Sequence, residues 1–285
     1  MSPAAALLGL LLLAAAPSGP PPVQSLGPVP PAPVRRVVTL APSLTDTVLA
    51  LGAGELLVGV SRFDERPEVR ALPRVGGFVD PSVEAVAALH PDLLLVQPGP
   101  GNRRPVEVLA GLGVPVLALR LGSVDDVLAA LRAVGAALGK GARGEELALA
   151  LERTRREVRA RAAELGKVRV LFVYGFEPLV VAGPGSFADE LLRDAGGVNV
   201  AGGAERSYPV WSVERALQAR PELVLDSAML PAGRETLKAL PGLRTARWVE
   251  LSGPALLHPG PALGEGLEEL FRALHPGQPL REAAR

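Results

Sequence analysis

Short apolar runs alternate with amphipathic stretches along most of the chain. The runs have the length and Val/Leu content of buried strands, and they lie at 37–40, 57–61, 93–96, 114–119, 168–174, 179–181, 223–225 and 248–251. Apolar residues spaced three and four apart predict helices at 45–51, 82–90, 106–112, 187–194, 213–219 and 263–274. Because strands and helices alternate across short loops, we expect mostly parallel sheets with helices on both faces.

Between the two sets of strands the pattern is helical only, from 124 to 165. Residues 145–165 contain neither Gly nor Pro, which allows about 30 Å of continuous helix. Arginines on this helix alternate with glutamates, as in Glu152 and Arg156, so we interpret them as a solvent-exposed face rather than an anion or nucleic-acid site. The pattern predicts two Rossmann-like α/β lobes, at 35–122 and 167–285, joined at 123–166 by a linker with one long, rigid backbone helix.

The first 34 residues lack this alternation. Ala and Leu dominate 4–16, a segment too short to span a bilayer comfortably, and small residues at its end suit signal peptidase. We therefore interpret 1–16 as an export signal peptide. Residues 17–34 are rich in proline and are expected to form a disordered linker. These features predict a periplasmic protein, and we expect it to be a monomer.

Composition narrows the class of protein further. The chain has no cysteine, which excludes disulfides, thiolate metal sites and a lipid anchor on an N-terminal cysteine. Thirty basic and thirty acidic residues cancel, and no basic excess indicates nucleic acid as a partner. The chain lacks the G-x-S-x-G, Walker and H-E-x-x-H motifs, so the sequence predicts no enzyme and no cofactor. With only three histidines a free-metal site is not expected, although His258, in a Gly/Pro-rich loop, is a candidate ligand contact.

One unit of sequence occurs twice. Ser82-Val83-Glu84 leads through a short helical pattern to Pro91 and an apolar run, and Ser212-Val213-Glu214 leads in the same way to Pro221. Serine is a favourable N-cap, and a glutamate in the first turn interacts favourably with the helix dipole. Capping alone would explain each glutamate. Repetition at corresponding places predicts two lobes of similar construction, each with one carboxylate at a helix start.

The chain has only ten aromatic residues, and most of them follow predicted strands or precede predicted helices. Open α/β sheets place their binding crevice at such positions. Core packing is the alternative for each residue, but together they predict an aromatic-lined cleft between the lobes. The candidates for ligand contact are Phe63, Phe78, Tyr174, Phe176, Tyr208 and Trp211.

The order of these segments resembles the periplasmic substrate-binding proteins of ABC importers, in the group that takes up cobalamin, iron siderophores and haem. The resemblance covers about 35–274 and rests on the segment 36–43, on Val58-Gly59-Val60-Ser61 and above all on the paired glutamate units. It implies two α/β lobes joined by a stiff helix that allows only slight closure. It also implies that Glu84 and Glu214 dock onto the transmembrane subunits of a permease.

Cobalamin-binding members of the group are the most similar, which makes cobalamin the favoured ligand and adds Pro42 and Ser43 to the cleft residues. Haem is disfavoured, because haem receptors of the group often have a tyrosine ligand where this chain has Phe78. Siderophores remain an alternative, since Arg62, Arg103 and Arg104 could serve catecholates. A periplasmic α/β enzyme and a structural partner that docks without ligand are further alternatives.

Overall fold

A computed structural model describes residues 21–99, 101–228, 230, 232–251 and 254–280, and it arranges them as two α/β lobes on a pair of linking helices. The predicted signal peptide lies outside the described residues. Within the described ranges, no helix is both long and apolar enough to cross a membrane.

The first lobe contains a five-stranded sheet. Its strands are β1 (Val23–Leu26), β2 (Val37–Thr39), β3 (Leu57–Gly59), β4 (Leu93–Val96) and β5 (Val116–Leu119), and its helices are α1 (Pro42–Ala50), α2 (Val83–Ala88) and α3 (Arg103–Gly111). The strand order is β1-β5-β4-β2-β3, and every pair is parallel except β1 with β5. The predicted parallel core of this lobe is confirmed.

Strand β1 corrects the expectation for the proline-rich segment. Val23 pairs with Leu119 and Leu26 with Val116 in an antiparallel register. The prediction of disorder across 17–34 is therefore wrong for β1. Its four residues adopt a strand because they pair with β5, which lies about ninety residues further along the chain.

Two helices connect the lobes: α4 (Val124–Ala137) and α5 (Gly141–Ala163). They pack against each other with glycines at the crossing, where a Cβ at Gly144 would lie 2.7 Å from the carbonyl oxygen of Leu131. Helix α5 is the long helix that the sequence predicts, and it begins four residues earlier than expected.

The second lobe is built around strand β6 (Val168–Phe176). The other strands are β7 (Leu179–Val181), β8 (Gly197–Asn199), β9 (Leu223–Asp226) and β10 (Arg247–Glu250), and the helices are α6 (Phe187–Asp194), α7 (Val213–Ala219), α8 (Arg234–Lys238), α9 (Pro241–Arg244), α10 (Pro254–Leu257) and α11 (Leu263–Leu274). The sheet order is β10-β9-β6-β7, with β8 also paired to β6. Among the pairs of described strands in this sheet, only the β6–β7 hairpin is antiparallel.

One hydrophobic core passes through both lobes. It joins Val37 and Leu44 of the first lobe to Leu151 and Val158 on α5 and to Phe172 of the second. Because the linking helices are part of this core, they cannot move as an independent hinge without separating buried side chains.

A buried ion-pair cluster fixes α5 to the second lobe. Arg155, which is 9% exposed, contacts Asp194 at 2.6 Å, Asp125 at 2.8 Å, and Glu190. The second oxygen of Glu190 accepts a hydrogen bond from the backbone N–H of Val124 at the start of α4. The expectation of a wholly solvent-exposed arginine face on α5 is thus wrong for Arg155, whose guanidinium is satisfied by three carboxylates.

Candidate functional site

The candidate site lies where the carboxyl ends of the parallel strands meet in each lobe. Strands β2 to β5 point their carboxyl ends to one edge of the first sheet, and β6, β9 and β10 do so in the second. Loops at such edges form the binding crevice of open α/β sheets. The predicted ligand contacts lie mainly in these loops or just beyond them.

Phe63 and Phe78 lie in loops of the first lobe and are 50% and 40% exposed. A Cβ at Gly77 would lie 2.6 Å from a ring carbon of Phe63, so the absence of a side chain at Gly77 makes room for that ring. The guanidinium of Arg62 lies 4.9 Å from the centre of the Phe63 ring and 2.8 Å from Asp80. This ion pair links the two loops and braces Phe63.

Beneath Phe63 lies a buried carboxyl group that the sequence analysis missed. Asp64 is 3% exposed, and its Oδ2 accepts a hydrogen bond from the hydroxyl of Ser61 at 2.7 Å. The same hydroxyl accepts the backbone N–H of Phe63 at 3.2 Å. Burial raises the pKa of Asp64, because the ionised form is poorly solvated there. The Ser61–Asp64 turn therefore sets the position of Phe63.

Pro42 and Ser43 begin α1 directly after β2. Pro42 occupies the first turn, where a missing N–H costs nothing. Ser43 is 4% exposed, and its carbonyl accepts the hydroxyl of Thr47 at 2.8 Å. Ser43 is thus buried at this edge of the sheet rather than exposed on its surface, whereas Pro42 is half-buried.

His258 brings the second half of the chain into contact with the first lobe. Its Nδ1 lies 3.7 Å from a carboxylate oxygen of Asp46 on α1, and Asp46 also pairs with Arg66 at 2.7 Å. Burial opposes ionisation of Asp46, but the nearby His258 and the hydrogen bond from Arg66 outweigh it and lower the pKa of Asp46. His258 is therefore placed at the lobe junction, with 41% of its side chain exposed.

In the second lobe, Tyr174 and Tyr208 pack together. Their ring centres are 5.5 Å apart in an edge-to-face arrangement, and Phe172 lies 5.1 Å behind Tyr174. Tyr208 is 54% exposed, whereas Tyr174 is largely buried, and burial raises the pKa of both phenols. Tyr208 offers the accessible aromatic face of this lobe.

Phe176 and Trp211 are placed differently from the other aromatic candidates. They are 8% and 6% exposed within a core cluster of the second lobe. Phe176 stacks on Trp248 at 6.4 Å, and Arg215 covers the Trp211 ring at 4.7 Å. Burial leaves both rings little surface for a ligand, so the core-packing alternative describes them better than the expectation of ligand contact.

The two copies of the duplicated unit form the same capping hydrogen bond at the start of their helices. The hydroxyl of Ser82 accepts the N–H of Ala85 at 3.1 Å, and that of Ser212 accepts the N–H of Arg215 at 3.3 Å. Both are N-caps, of α2 and α7. Glu84 and Glu214 are exposed in the first turns of these helices. Hydrogen bonds from its own backbone N–H and from Ser212 lower the pKa of Glu214, so it is ionised at neutral pH.

The C-terminal ends of α2 and α7 also resemble each other. His90 and Arg220, each the residue before the proline, both adopt left-handed backbone with φ of 43° and 45°. The guanidinium of Arg36 donates to the carbonyl of Leu89 at 2.7 Å, and that of Arg169 donates to the carbonyls at the end of α7. Arg36, directly before β2, and Arg169, in β6, therefore satisfy the helix ends. Sequence reasoning missed this role, because each arginine lies fifty or more residues before the helix end that it contacts.

Within the described ranges, no three His, Asp or Glu side chains converge as a metal site would require. The site instead offers exposed aromatic and aliphatic surface with a few hydrogen-bonding groups. Such a surface suits binding of a large, partly apolar ligand.

Comparisons with known proteins agree with this geometry. Residues 37–247 match the periplasmic binding protein family. The vitamin B12-binding protein of Salmonella typhimurium is 30% identical over 191 residues, which cover 67% of this chain and 71% of that protein. The periplasmic haem-binding protein RhuT of Roseiflexus sp. RS-1 is 30% identical with a TM-score of 0.74, over 85% of this chain and 98% of RhuT. The vitamin B12-binding protein BtuF of Vibrio cholerae, 23% identical, has the same fold, with a TM-score of 0.74 over 85% of this chain and 97% of BtuF.

These relatives are substrate-binding proteins, which confirms the prediction that the chain is not an enzyme. They also confirm the resemblance to the cobalamin, iron and haem group and the fold of two α/β lobes joined by a long helix. The chain belongs to the periplasmic binding protein family, as a substrate-binding protein of the ABC importer type.

Proposed function

We propose that this protein is a periplasmic receptor that binds a metal chelate, with cobalamin as the favoured cargo, between its lobes and delivers it to an ABC permease. The observation that carries the proposal is the distribution of exposed apolar side chains. Phe63, Phe78 and Val79 in the first lobe and Tyr208 and Val210 in the second are 40–63% exposed. Exposed apolar side chains grouped in loops of this kind favour a ligand or partner site, and a broad macrocycle between the lobes would contact both groups.

Cobalamin is supported by the vitamin B12-binding relative and by the character of the contacts. Its corrin ring and amide side chains need apolar surface and a few hydrogen bonds, rather than a metal ligand from the protein. Phe78 has no oxygen that could coordinate iron, which is consistent with a cargo whose metal is not bound by that residue.

Haem is the second candidate, because a haem-binding structure is 30% identical over most of this chain. Calorimetric titration with cyanocobalamin, haemin and a ferric catecholate distinguishes the candidates, and we expect cyanocobalamin to bind most tightly. The variant Phe78→Tyr should gain haemin affinity and an altered Soret band, since a phenolate can ligate iron. Failure of the wild type to bind cyanocobalamin at micromolar concentration would refute the favoured cargo.

Docking on the permease is assigned to Glu84 and Glu214. Both carboxylates are exposed on equivalent short helices, one in each lobe, and the serine caps hold those helices in the same way. Exposed carboxylates with no burial to overcome can pair with arginines of a partner at little desolvation cost. A matched pair in two lobes fits a permease made of two similar subunits.

The double variant Glu84→Ala/Glu214→Ala tests this assignment. We expect cargo affinity to stay unchanged and stimulation of the permease ATPase to be lost. The control is Glu55→Ala/Glu235→Ala, which removes one exposed glutamate from the short 3₁₀ helix Gly54–Leu56 of the first lobe and one from α8 of the second. Equal ATPase stimulation by both double variants would contradict docking through Glu84 and Glu214.

Export to the periplasm is part of the same proposal and depends on cleavage of the signal peptide at 1–16. Mass spectrometry of the protein recovered from the periplasm should show a chain that begins near residue 17. Light scattering should give a monomer with or without cargo.

A further inference from the structure

We infer that the first-lobe wall of the cleft disfavours a cargo with a negative charge, because Arg62 and Arg66, which lie on either side of Phe63 in the sequence, are already paired with carboxylates of the protein. This inference rests on the proposed function and specifies the chemical class of its ligand. It concerns the cation sites that an anionic chelate, such as a haem with free propionates or a catecholate siderophore, would require.

The guanidinium of Arg62 lies over the Phe63 ring, 4.9 Å from its centre. Its two terminal nitrogens lie 2.8 and 2.9 Å from the two oxygens of Asp80, a bidentate arrangement that uses the planar fork of the guanidinium. Both residues belong to the loops that carry Phe63 and Phe78, so the pair is placed where cargo would contact those rings. An anionic group that approached Arg62 would also approach Asp80.

Two other arginines form ion pairs with buried carboxylates. Arg66 pairs at 2.7 Å with Asp46, which is 9% exposed. In the second lobe, Arg234 pairs at 2.5 Å with Asp226, which is 3% exposed, and also lies 3.3 Å from Glu250. Buried aspartates hold their arginines firmly, because release of the arginine would leave an uncompensated buried charge.

Around Phe63, the positive charges of Arg62 and Arg66 are matched by the carboxylates of Asp80 and Asp46. In the loop before Tyr208, Glu205 and Arg206 are adjacent in the sequence. Charged clefts that attract anions instead present an excess of one sign. A neutral cargo rich in amides avoids repulsion by the paired carboxylates, because amides can hydrogen-bond to paired ions without displacing them.

The experiment compares two cargoes of the same shape: cyanocobalamin and its monocarboxylic acid, in which one peripheral amide is replaced by a carboxylate. We expect the wild type to bind the acid about fivefold more weakly than the amide at low salt, the size of one exposed ionic interaction. In Asp80→Asn, which frees Arg62, this preference should disappear or reverse. In the double variant Arg62→Gln/Asp80→Asn, affinity for the acid should fall again relative to Asp80→Asn. That result would show that the freed Arg62 causes the tighter binding of the acid.

The control variant is Glu145→Gln, which removes a carboxylate paired with Arg132 on the linking helices and should leave the preference unchanged. Equal or tighter binding of the acid by the wild type, or an unchanged ratio in Asp80→Asn, would overturn the inference and leave the proposed receptor function intact. If cyanocobalamin does not bind at all, the cobalamin proposal fails separately. Haemin and its dimethyl ester then supply the matched pair, and tighter binding of the ester would sustain the charge selection.

Discussion

Replacement of Arg155 by methionine should destabilise the protein more than replacement of an arginine whose ion pairs are exposed. Arg155 is 9% exposed, its guanidinium contacts Asp194, Asp125 and Glu190, and Asp194 is itself 2% exposed. Breaking a buried ion pair by removal of one partner costs about 3–5 kcal/mol, since the other charge stays buried. Arg159 still pairs with Asp194 at 2.5 Å, so we expect a loss of about 3 kcal/mol, which corresponds to a fall in Tm of roughly 6–12 °C.

Urea denaturation followed by circular dichroism measures this loss, with Arg132→Met as the matched control. Arg132 also pairs with two carboxylates, Glu145 and Glu152, but its side chain is 38% exposed and theirs are 48% and 29% exposed. Exposed pairs contribute about 0–1 kcal/mol each, so the control should lose about 1 kcal/mol. Equal losses in the two variants would refute the idea that burial, rather than the number of ion pairs, determines the contribution of Arg155.

Two further predictions concern the loop that carries Phe63. Gly77→Ala should weaken cyanocobalamin binding about tenfold by calorimetry, because the new Cβ displaces the Phe63 ring at a repacking cost of about 1–3 kcal/mol. The control is Gly99→Ala, whose new Cβ meets no atom within 4 Å, and this variant should bind cyanocobalamin as the wild type does. Asp64→Asn should increase the free energy of unfolding at neutral pH. Burial raises the pKa of Asp64 in the folded state, so the wild type loses stability as pH rises through that pKa, and the two proteins should converge in acid. A difference in urea midpoint that is independent of pH would contradict this explanation.

The regular elements were largely predictable from the sequence. The spans of β4, α6, α7 and α11 coincide with the predicted ranges. In each of these elements the local sequence signals and the pattern of buried residues indicate the same boundaries. Proline and glycine mark the ends of these elements, and the apolar spacing matches the face that is buried.

The missed features depend on partners that are remote in the chain. Strand β1 owes its conformation to β5, and the contacts of Arg155 come from two other helices, α4 and α6. Local propensity cannot indicate such pairings. Phe176 and Trp211 differ from Phe63 and Phe78 only in the direction of the side chain, which the sequence pattern of a loop does not specify. The paired glutamates were visible because the whole unit around them is repeated.

Strand β1 gives the proline-rich segment a role in protecting the sheet. Within the described residues, no strand pairs with the outer side of β1, which makes it an open edge on which another chain could add. Prolines at 21 and 22 precede this strand, and others at 28, 30 and 31 follow it. Because proline lacks the N–H that a further strand would need, the prolines keep the accessible edge only four residues long. A segment that resembles a simple spacer therefore limits the addition of a further strand at this edge of the sheet.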